Sequence, residues 1–234
     1  MSKQKVAVVT GGARGIGKAI CEEFKRQGAA VCVIDLLEND YFIGDIADDG
    51  VLRVFSQKVI AEHGNIDYLI HNACMSKGGL ENCSYEDFNY VLRVGVAAPY
   101  MLTKLFMDNL NPGASIVNIS STRHLMSQAN TESYTAAKGG ITSLTHAMAV
   151  TLAGKARVNS ISPGWIDTEN NRFSHADNTQ HPAGRVGVPA DIVNTVMFLC
   201  DGKSSFITGQ NITVDGGMTK LMVYHNDNGW NYEG

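Results

Sequence analysis

The sequence is short of everything that would staple, divide or anchor a chain. Its five cysteines, Cys21, Cys32, Cys74, Cys83 and Cys200, are odd in number and contain no C-x-x-C pair. A disulfide framework and a cysteine zinc site are therefore not expected, and a reducing compartment fits best. Only five prolines occur in 234 residues, and no Pro/Ser-rich stretch or block of like charge divides them, so one domain spanning residues 1–234 is expected. No apolar run reaches the length of a membrane span, and the two lysines near Met1 are not followed by the apolar stretch of an export signal. The expected setting is cytoplasmic. Charged residues make up 18% of the chain and are mixed in sign, with a formal net charge of -4, which leaves no electrostatic footprint for nucleic acid or an anionic membrane. What is present, 44% hydrophobic residues and 24 glycines, suffices for a buried core with many tight turns.

Short apolar runs fit for buried strands recur at Val6–Val9, Ala29–Ile34, Tyr68–Ile70, Ser115–Ile119, Val158–Ile161 and Asn211–Val214. Between them, Gly15–Gln27, Gly50–His63, Tyr85–Leu110, Glu132–Ala153 and Pro189–Cys200 carry apolar residues at helical spacing, with Pro189 suited to a first turn. This alternation predicts an α/β fold, a doubly wound and mainly parallel sheet of about seven strands with helices on both faces. One crossover breaks the rhythm. Only Leu36–Asp40 separate the second strand from the short apolar piece Tyr41–Ile43, too few residues for a helix. The least regular segment is 165–188, rich in Asn and Gln with few apolar anchors, and it is expected to be a mobile substrate loop.

Thr10-Gly11-Gly12-Ala13-Arg14-Gly15-Ile16-Gly17 follows the first strand and opens the first helix. In that context glycines let backbone amides approach a pyrophosphate at a helix N-terminus, although such a loop alone is equally an ordinary tight turn. Asp35 ends the next strand about twenty residues on, where a carboxylate can accept from ribose hydroxyls and repels a 2′-phosphate. This favours NAD over NADP. Arg14 can pair with a 2′-phosphate instead, and Asp35 alone is also consistent with a cap or turn residue. Gly44-Asp45-Ile46 falls where a third strand ends beside an adenine pocket.

Tyr134 and Lys138 stand four residues apart, hence on one face of the long helix 132–153. An ammonium beside a phenol stabilises its phenolate form and so suits it to proton transfer. Ser120-Ser121 directly follow a strand, at the strand end where open parallel sheets bind ligands. His63, His71 and His146 have no ligand spacing and are read as structural, so no metal is expected.

In these residues the chain resembles the short-chain dehydrogenase/reductase family, from Lys5 to Met218. The resemblance is carried by the glycine loop, Asp45-Ile46, Asn72-Ala73, Ser121 thirteen residues before Tyr134, Lys138, Pro163-Gly164 with Thr168, and Asp215-Gly216-Gly217. It implies a Rossmann fold and a nicotinamide cofactor bound by Gly11, Arg14, Gly15, Ile16, Gly17, Asp35, Asp45, Ile46, Asn72, Ala73, Tyr134, Lys138, Pro163, Gly164, Ile166 and Thr168. Tyr134 is then the general acid/base, Ser121 holds the reacting oxygen, and Lys138 grips the nicotinamide ribose. A homotetramer or homodimer joined through the helices 85–110 and 132–153 is implied as well.

Three departures stand out. The helix after Asp35 is missing; His71-Asn72-Ala73-Cys74 replaces the usual Asn-Asn-Ala-Gly; and Gly95 stands where an asparagine normally holds a relay water. Gly95 is consistent with a preserved kink whose free carbonyls hold that water, or with a close helix contact. An inactive NAD-binding sensor or scaffold is the alternative reading. The loops expected to choose the substrate are strongly polar, with Arg123, His124, Gln128, Asn130, Glu169, Asn170, Asn171, Arg172 and His175. They predict a small polar alcohol or ketone, a polyol, sugar or hydroxy acid, contacted by Ser121, Arg123, His124 and Tyr134. The extension 219–234 is apolar enough to dock.

Overall fold

The computed structural model describes residues 4–227 and 231. Seven strands, β1 (Val6–Thr10), β2 (Ala30–Asp35), β3 (Phe42–Ile43), β4 (Ile66–His71), β5 (Leu110–Ile119), β6 (Ala156–Pro163) and β7 (Asn211–Val214), form one parallel sheet in the order β3-β2-β1-β4-β5-β6-β7. The order reverses between β1 and β4, and a crevice opens there at the strand C-termini.

Both faces of the sheet are covered, and alternate side chains of one strand serve opposite cores. Val6 and Val8 join a cluster with Leu52, Phe55, Leu102 and Phe106, whereas Ala7 and Val9 join one with Ile20, Phe24, Ile192 and Val196. The first cluster is roofed by α2 (Asp49–His63), α4 (Ala98–Phe106) and α5 (Glu132–Thr151), the second by α1 (Gly15–Arg26) and α7 (Pro189–Cys200). Each fully buried Ile, Leu or Phe contributes about 1.5–3 kcal/mol.

Where a crossover helix is missing, Asn39 does its work. Its amide nitrogen donates to Leu37 O and Phe42 O at 2.9 Å each, and its Oδ1 accepts from Tyr41 N and Phe42 N at 2.9 Å each. This one side chain buckles the short connection so that β3 pairs in parallel with β2.

The expected helix 85–110 is three pieces: α3 (Tyr85–Leu92), a π-helical turn Arg93–Ala97, and α4. It stops at Phe106, and Leu110 opens β5 instead, opposite Ile66, because Ile66 N donates to Asn109 O. The segment 165–188 also differs from expectation. It contains a short helix, α6 (His175–Thr179), capped reciprocally by Ser174 and Asp177, and it has apolar anchors. Trp165 packs against Phe173 and His181, with ring centroids 5.1 and 6.2 Å away, while His181 and Val186 are buried. Met222 and Tyr224 are exposed on this chain; the expected docking of the tail through Trp230 and Tyr232 lies outside the described residues. No helix among the described residues is long and apolar enough to cross a membrane.

Candidate active site

The nucleotide end is built by close backbone approach. Gly11 and Gly15 have positive φ, 68° and 55°, which only glycine adopts without strain. A Cβ on Gly17 would stand 2.0 Å from Gly11 O and 2.5 Å from Asn72 Nδ2. Asn72 spans the crevice by donating its amide to Gly11 O (2.9 Å) and Thr10 O (3.2 Å), while Thr10 Oγ1 accepts from Asn72 N and Ala73 N. Arg14 caps α1 without a side-chain bond and no carboxylate lies in the first turn, so the positive end of α1 is left open to an anion.

Asp35 holds this loop as well as facing it. Its Oδ2 accepts from Ala13 N and its Oδ1 from Leu37 N, both at 3.0 Å. Asp45 accepts from Ala47 N and from the Tyr90 hydroxyl, both at 2.9 Å, and burial together with this carboxylate pushes the Tyr90 phenol pKa up. A cavity of about 240 Å³ lies between them, lined among others by Arg14, Asp35, Ile46, Ala73 and Cys74. The packed glycine cradle, the uncapped helix and this adjoining cavity fit a dinucleotide.

The catalytic candidates meet where β5 hands over to α5. Ser121 is buried at the end of β5 and starts the 3₁₀ turn Thr122–His124, its Oγ accepting from Arg123 N at 3.2 Å. The neighbouring Ser120 Oγ donates to Lys138 O at 3.0 Å and shares a 2.7 Å hydrogen bond with Thr142, clamping α5 onto the strand end. Lys138 is 4% exposed, an extreme burial for an ammonium. Its Nζ donates to Ile119 O at 2.7 Å and lies 5.3 Å from the centre of the half-buried Tyr134 ring. Ser133, beside Tyr134, donates to Gly78 O at 2.6 Å and ties the start of α5 to the loop after Cys74.

Gly95 sits in the π-helical turn, so the kink is present, and the close contact is present too. A Cβ there would stand 2.8 Å from Ala137 Cβ and 3.5 Å from Cys74 Sγ. Cys74, which replaces a glycine, thus packs over the space that Gly95 leaves. Gly140 likewise abuts Val96 of its own chain, 2.9 Å from where a Cβ would be, so these small residues of α5 serve internal packing.

On the other side of Ser121 lies a cavity of about 450 Å³, walled by Ser121, Arg123, Gln128, Trp165, Gln180 and Met218, among others. Arg123 donates to Gln128 Oε1 and to Thr131 Oγ1, both uncharged, and it is the single charged side chain of that wall. Pro163 is buried at the end of β6, and Gly164 must lack a side chain because a Cβ would meet Asp215 Cβ at 2.6 Å. Ile166 bridges to Gly187, and Thr168 stands over the glycine loop, its Cγ2 3.4 Å from a Cβ built on Gly15.

His124 departs from its expected place. It does not line the cavity, and both ring nitrogens face protein groups, Ser121 O and Ser162 Oγ at Nδ1 and Asn211 Nδ2 at Nε2. Sequence reasoning missed Asn211, Tyr90, Gln180 and Met218, which reach the site from distant elements and carry no local pattern.

A family profile described as Enoyl-(Acyl carrier protein) reductase matches residues 11–219. The fold also matches the solved structure of an apo SCOR enzyme from Clostridium thermocellum, with TM-score 0.90, 42% identity and 99% of each chain covered. An oxidoreductase of Thermotoga maritima is 37% identical over 96% of this chain and 99% of its own. A cis-4-hydroxycyclohexanecarboxylate dehydrogenase of Sinomonas cyclohexanicum is 31% identical over 93% of this chain and 98% of its own. The chain belongs to the short-chain dehydrogenase/reductase family. It is an oxidoreductase acting on a carbonyl or hydroxyl group.

Proposed function

We propose that the protein is an NAD-dependent dehydrogenase of small polar secondary alcohols, with hydroxy acids the favoured class. The observation that carries this reading is the buried Lys138 ammonium under the Tyr134 ring, on the helix that Ser120 clamps beside Ser121. A bound nicotinamide ring supplies the hydride acceptor in oxidation and the hydride donor in reduction. Tyr134 takes the proton of the substrate hydroxyl in oxidation and returns it in reduction. Lys138 places a positive charge where the phenolate forms, and Ser121 orients the reacting oxygen by a hydrogen bond.

Asp35 supports NAD. With one backbone N–H on each oxygen, the carboxylate retains lone pairs for ribose hydroxyls, and its charge opposes a 2′-phosphate. Arg123 supports an acid, because a guanidinium bonded only to neutral partners in an otherwise uncharged wall gains most from a carboxylate. The Sinomonas relative is named for a substrate that joins a secondary alcohol to a carboxylate. Self-association is part of the proposal: Leu92, Val96, Tyr100, Ala136 and Leu144 leave a groove along the α3–α5 surface, with Tyr100 exposed at its edge.

The test is nicotinamide absorbance after mixing the protein with NAD+ or NADP+ and lactate, 3-hydroxybutyrate, ribitol, glucose or cyclohexanol. Turnover with NAD+ and a hydroxy acid is expected. Preference for cyclohexanol overturns the polar-substrate reading, and NAD+ binding without any turnover in a wide panel supports a sensor.

A further inference from the structure

His124 is engaged on both edges of its ring. On one edge Nδ1 lies 2.7 Å from Ser121 O, and the same oxygen also takes the His124 backbone N–H at 3.1 Å. A carbonyl cannot donate, so the proton in the side-chain contact belongs to Nδ1. On the other edge Nε2 lies 3.3 Å from Asn211 Nδ2, and an amide nitrogen can only donate, so Nε2 presents its lone pair.

The Asn211 amide is oriented by neighbours other than the histidine. Its Oδ1 accepts from Ser160 Oγ and from Ser162 Oγ at 2.8 Å each, two hydroxyls that alternate on β6 beside the start of β7. Turning the amide over would make both hydroxyls accept from it, leaving their own protons to find other acceptors, and would set a carbonyl against Nε2, which then requires a proton on each ring nitrogen. The chain Ser160/Ser162–Asn211–His124–Ser121 therefore runs from the sheet interior to the catalytic serine with one consistent direction of donation.

We propose that His124 is a positioning residue: held as the Nδ1–H tautomer by Asn211, it fixes the Ser121 peptide and thereby the aim of the Ser121 hydroxyl. Both hydrogen bonds to Ser121 O come from this residue, one from its backbone and one from its ring, so the turn that carries Ser121 is closed twice. The inference rests on the reading of Ser121 as the group that orients the reacting oxygen. The tautomer of His124 is fixed by Ser121 O and Asn211 whatever the Ser121 hydroxyl does.

The experiment uses the full chain labelled with ¹⁵N-histidine and long-range ¹H–¹⁵N correlation, the His124 signals being identified by their loss in His124→Asn. The neutral Nδ1–H pattern is expected in the wild type. In Asn211→Asp the new carboxylate accepts from Nε2–H, and the pattern must change. Kinetics with NAD+ and whichever panel alcohol turns over complete the test. In His124→Leu, kcat is expected to fall about 10- to 100-fold, the effect of a slightly misplaced catalytic group, with NAD+ affinity unchanged. His124→Asn, whose amide N–H stands near the position of Nδ1–H, is expected to recover most of the loss. An Nε2–H or doubly protonated ring in the wild type overturns the proposal, as does a wild-type kcat in His124→Leu, or NAD+ affinity that falls in step with kcat. If the leucine variant does not fold or no alcohol in the panel turns over, the tautomers of the wild type and Asn211→Asp decide alone.

Discussion

Gly95 and Ala137 touch so closely that a β-carbon on the glycine would lie 2.8 Å from the Ala137 β-carbon, inside any normal contact distance. In an ordinary helix, replacing glycine by alanine stabilises by about 1 kcal/mol. Here the sign reverses. Gly95→Ala is expected to destabilise by about 1–3 kcal/mol, the usual cost of overpacking, and Gly95→Asn by at least as much. Urea midpoints measure this, and a midpoint that rises in Gly95→Ala shows that the π turn and α5 can part enough to admit a methyl group. Because Ala137 precedes Lys138, kcat should fall in the same variants.

Asp35 joins cofactor choice to loop geometry, since its carboxylate accepts from Ala13 N and Leu37 N while standing at the adenine-side cavity. Asp35→Asn removes the charge and nearly preserves the shape. The ratio of kcat/KM with NAD+ to that with NADP+ is expected to drop about 10- to 100-fold, the worth of a charge-assisted hydrogen bond. Asp35→Ala should show the same shift together with a lower melting temperature. An unchanged ratio would place discrimination elsewhere, with Arg14 the next residue to vary.

His71 is buried, with its Nε2 3.0 Å from Thr103 Oγ1, and burial lowers its pKa from 6.5 to about 3. The unfolded chain therefore binds a proton below pH 6.5 that the folded chain refuses until pH 3. Stability is unaffected above that window and declines as pH falls through it, by about 1.4 kcal/mol per pH unit. Between pH 7.5 and 5 the wild type should thus lose about 2 kcal/mol more than His71→Gln, in which this titration is gone. Parallel pH profiles of urea unfolding for the two proteins would exclude His71 as the cause.

The sheet, its seven strands and four of its helices, α1, α2, α5 and α7, were legible because alternating apolar runs and helical spacing are properties of contiguous residues. The glycine loop, Asp35, Ser121, Tyr134 and Lys138 were legible for a related reason, that each falls at a fixed place on a strand end or helix face. What escaped was decided by side chains far apart in sequence or by single residues acting on the backbone. Asn39 replaces a crossover helix with four hydrogen bonds, which no propensity encodes. The break in the helix 85–110 depends on how Gly95 meets Ala137, forty-two residues later. His124 reads as a substrate contact because it is polar and directly follows Arg123; its pairing with Asn211, on β7, turns it inward. The anchors of 165–188 were missed because Trp165 and Phe173 find each other across the loop rather than the core.

Tyr134 and Lys138 can be separated by experiment because they are buried differently. Tyr134 is half-buried with its ring over the Lys138 ammonium, and Tyr134→Phe keeps that ring while deleting the proton carrier. It should fold with wild-type stability and bind NAD+ normally, with kcat reduced at least about 100-fold, the lower end of what general acid–base groups contribute. Lys138 also donates to Ile119 O, the last residue of β5 and two before Ser121, so Lys138→Met leaves a buried carbonyl without its donor. That variant should lose about 1–3 kcal/mol of stability as well as activity. Its kcat/KM, measured where the variant is fully folded, should stay well below the wild-type value, because the proton transfer at Tyr134 no longer has a cation 5.3 Å from the ring centre. Urea unfolding and kcat/KM measured on the same variant separate the two roles. A folded Lys138→Met with wild-type kcat/KM would mean that Lys138 acts only by holding the strand end, and that the charge near Tyr134 has no part in the proton transfer.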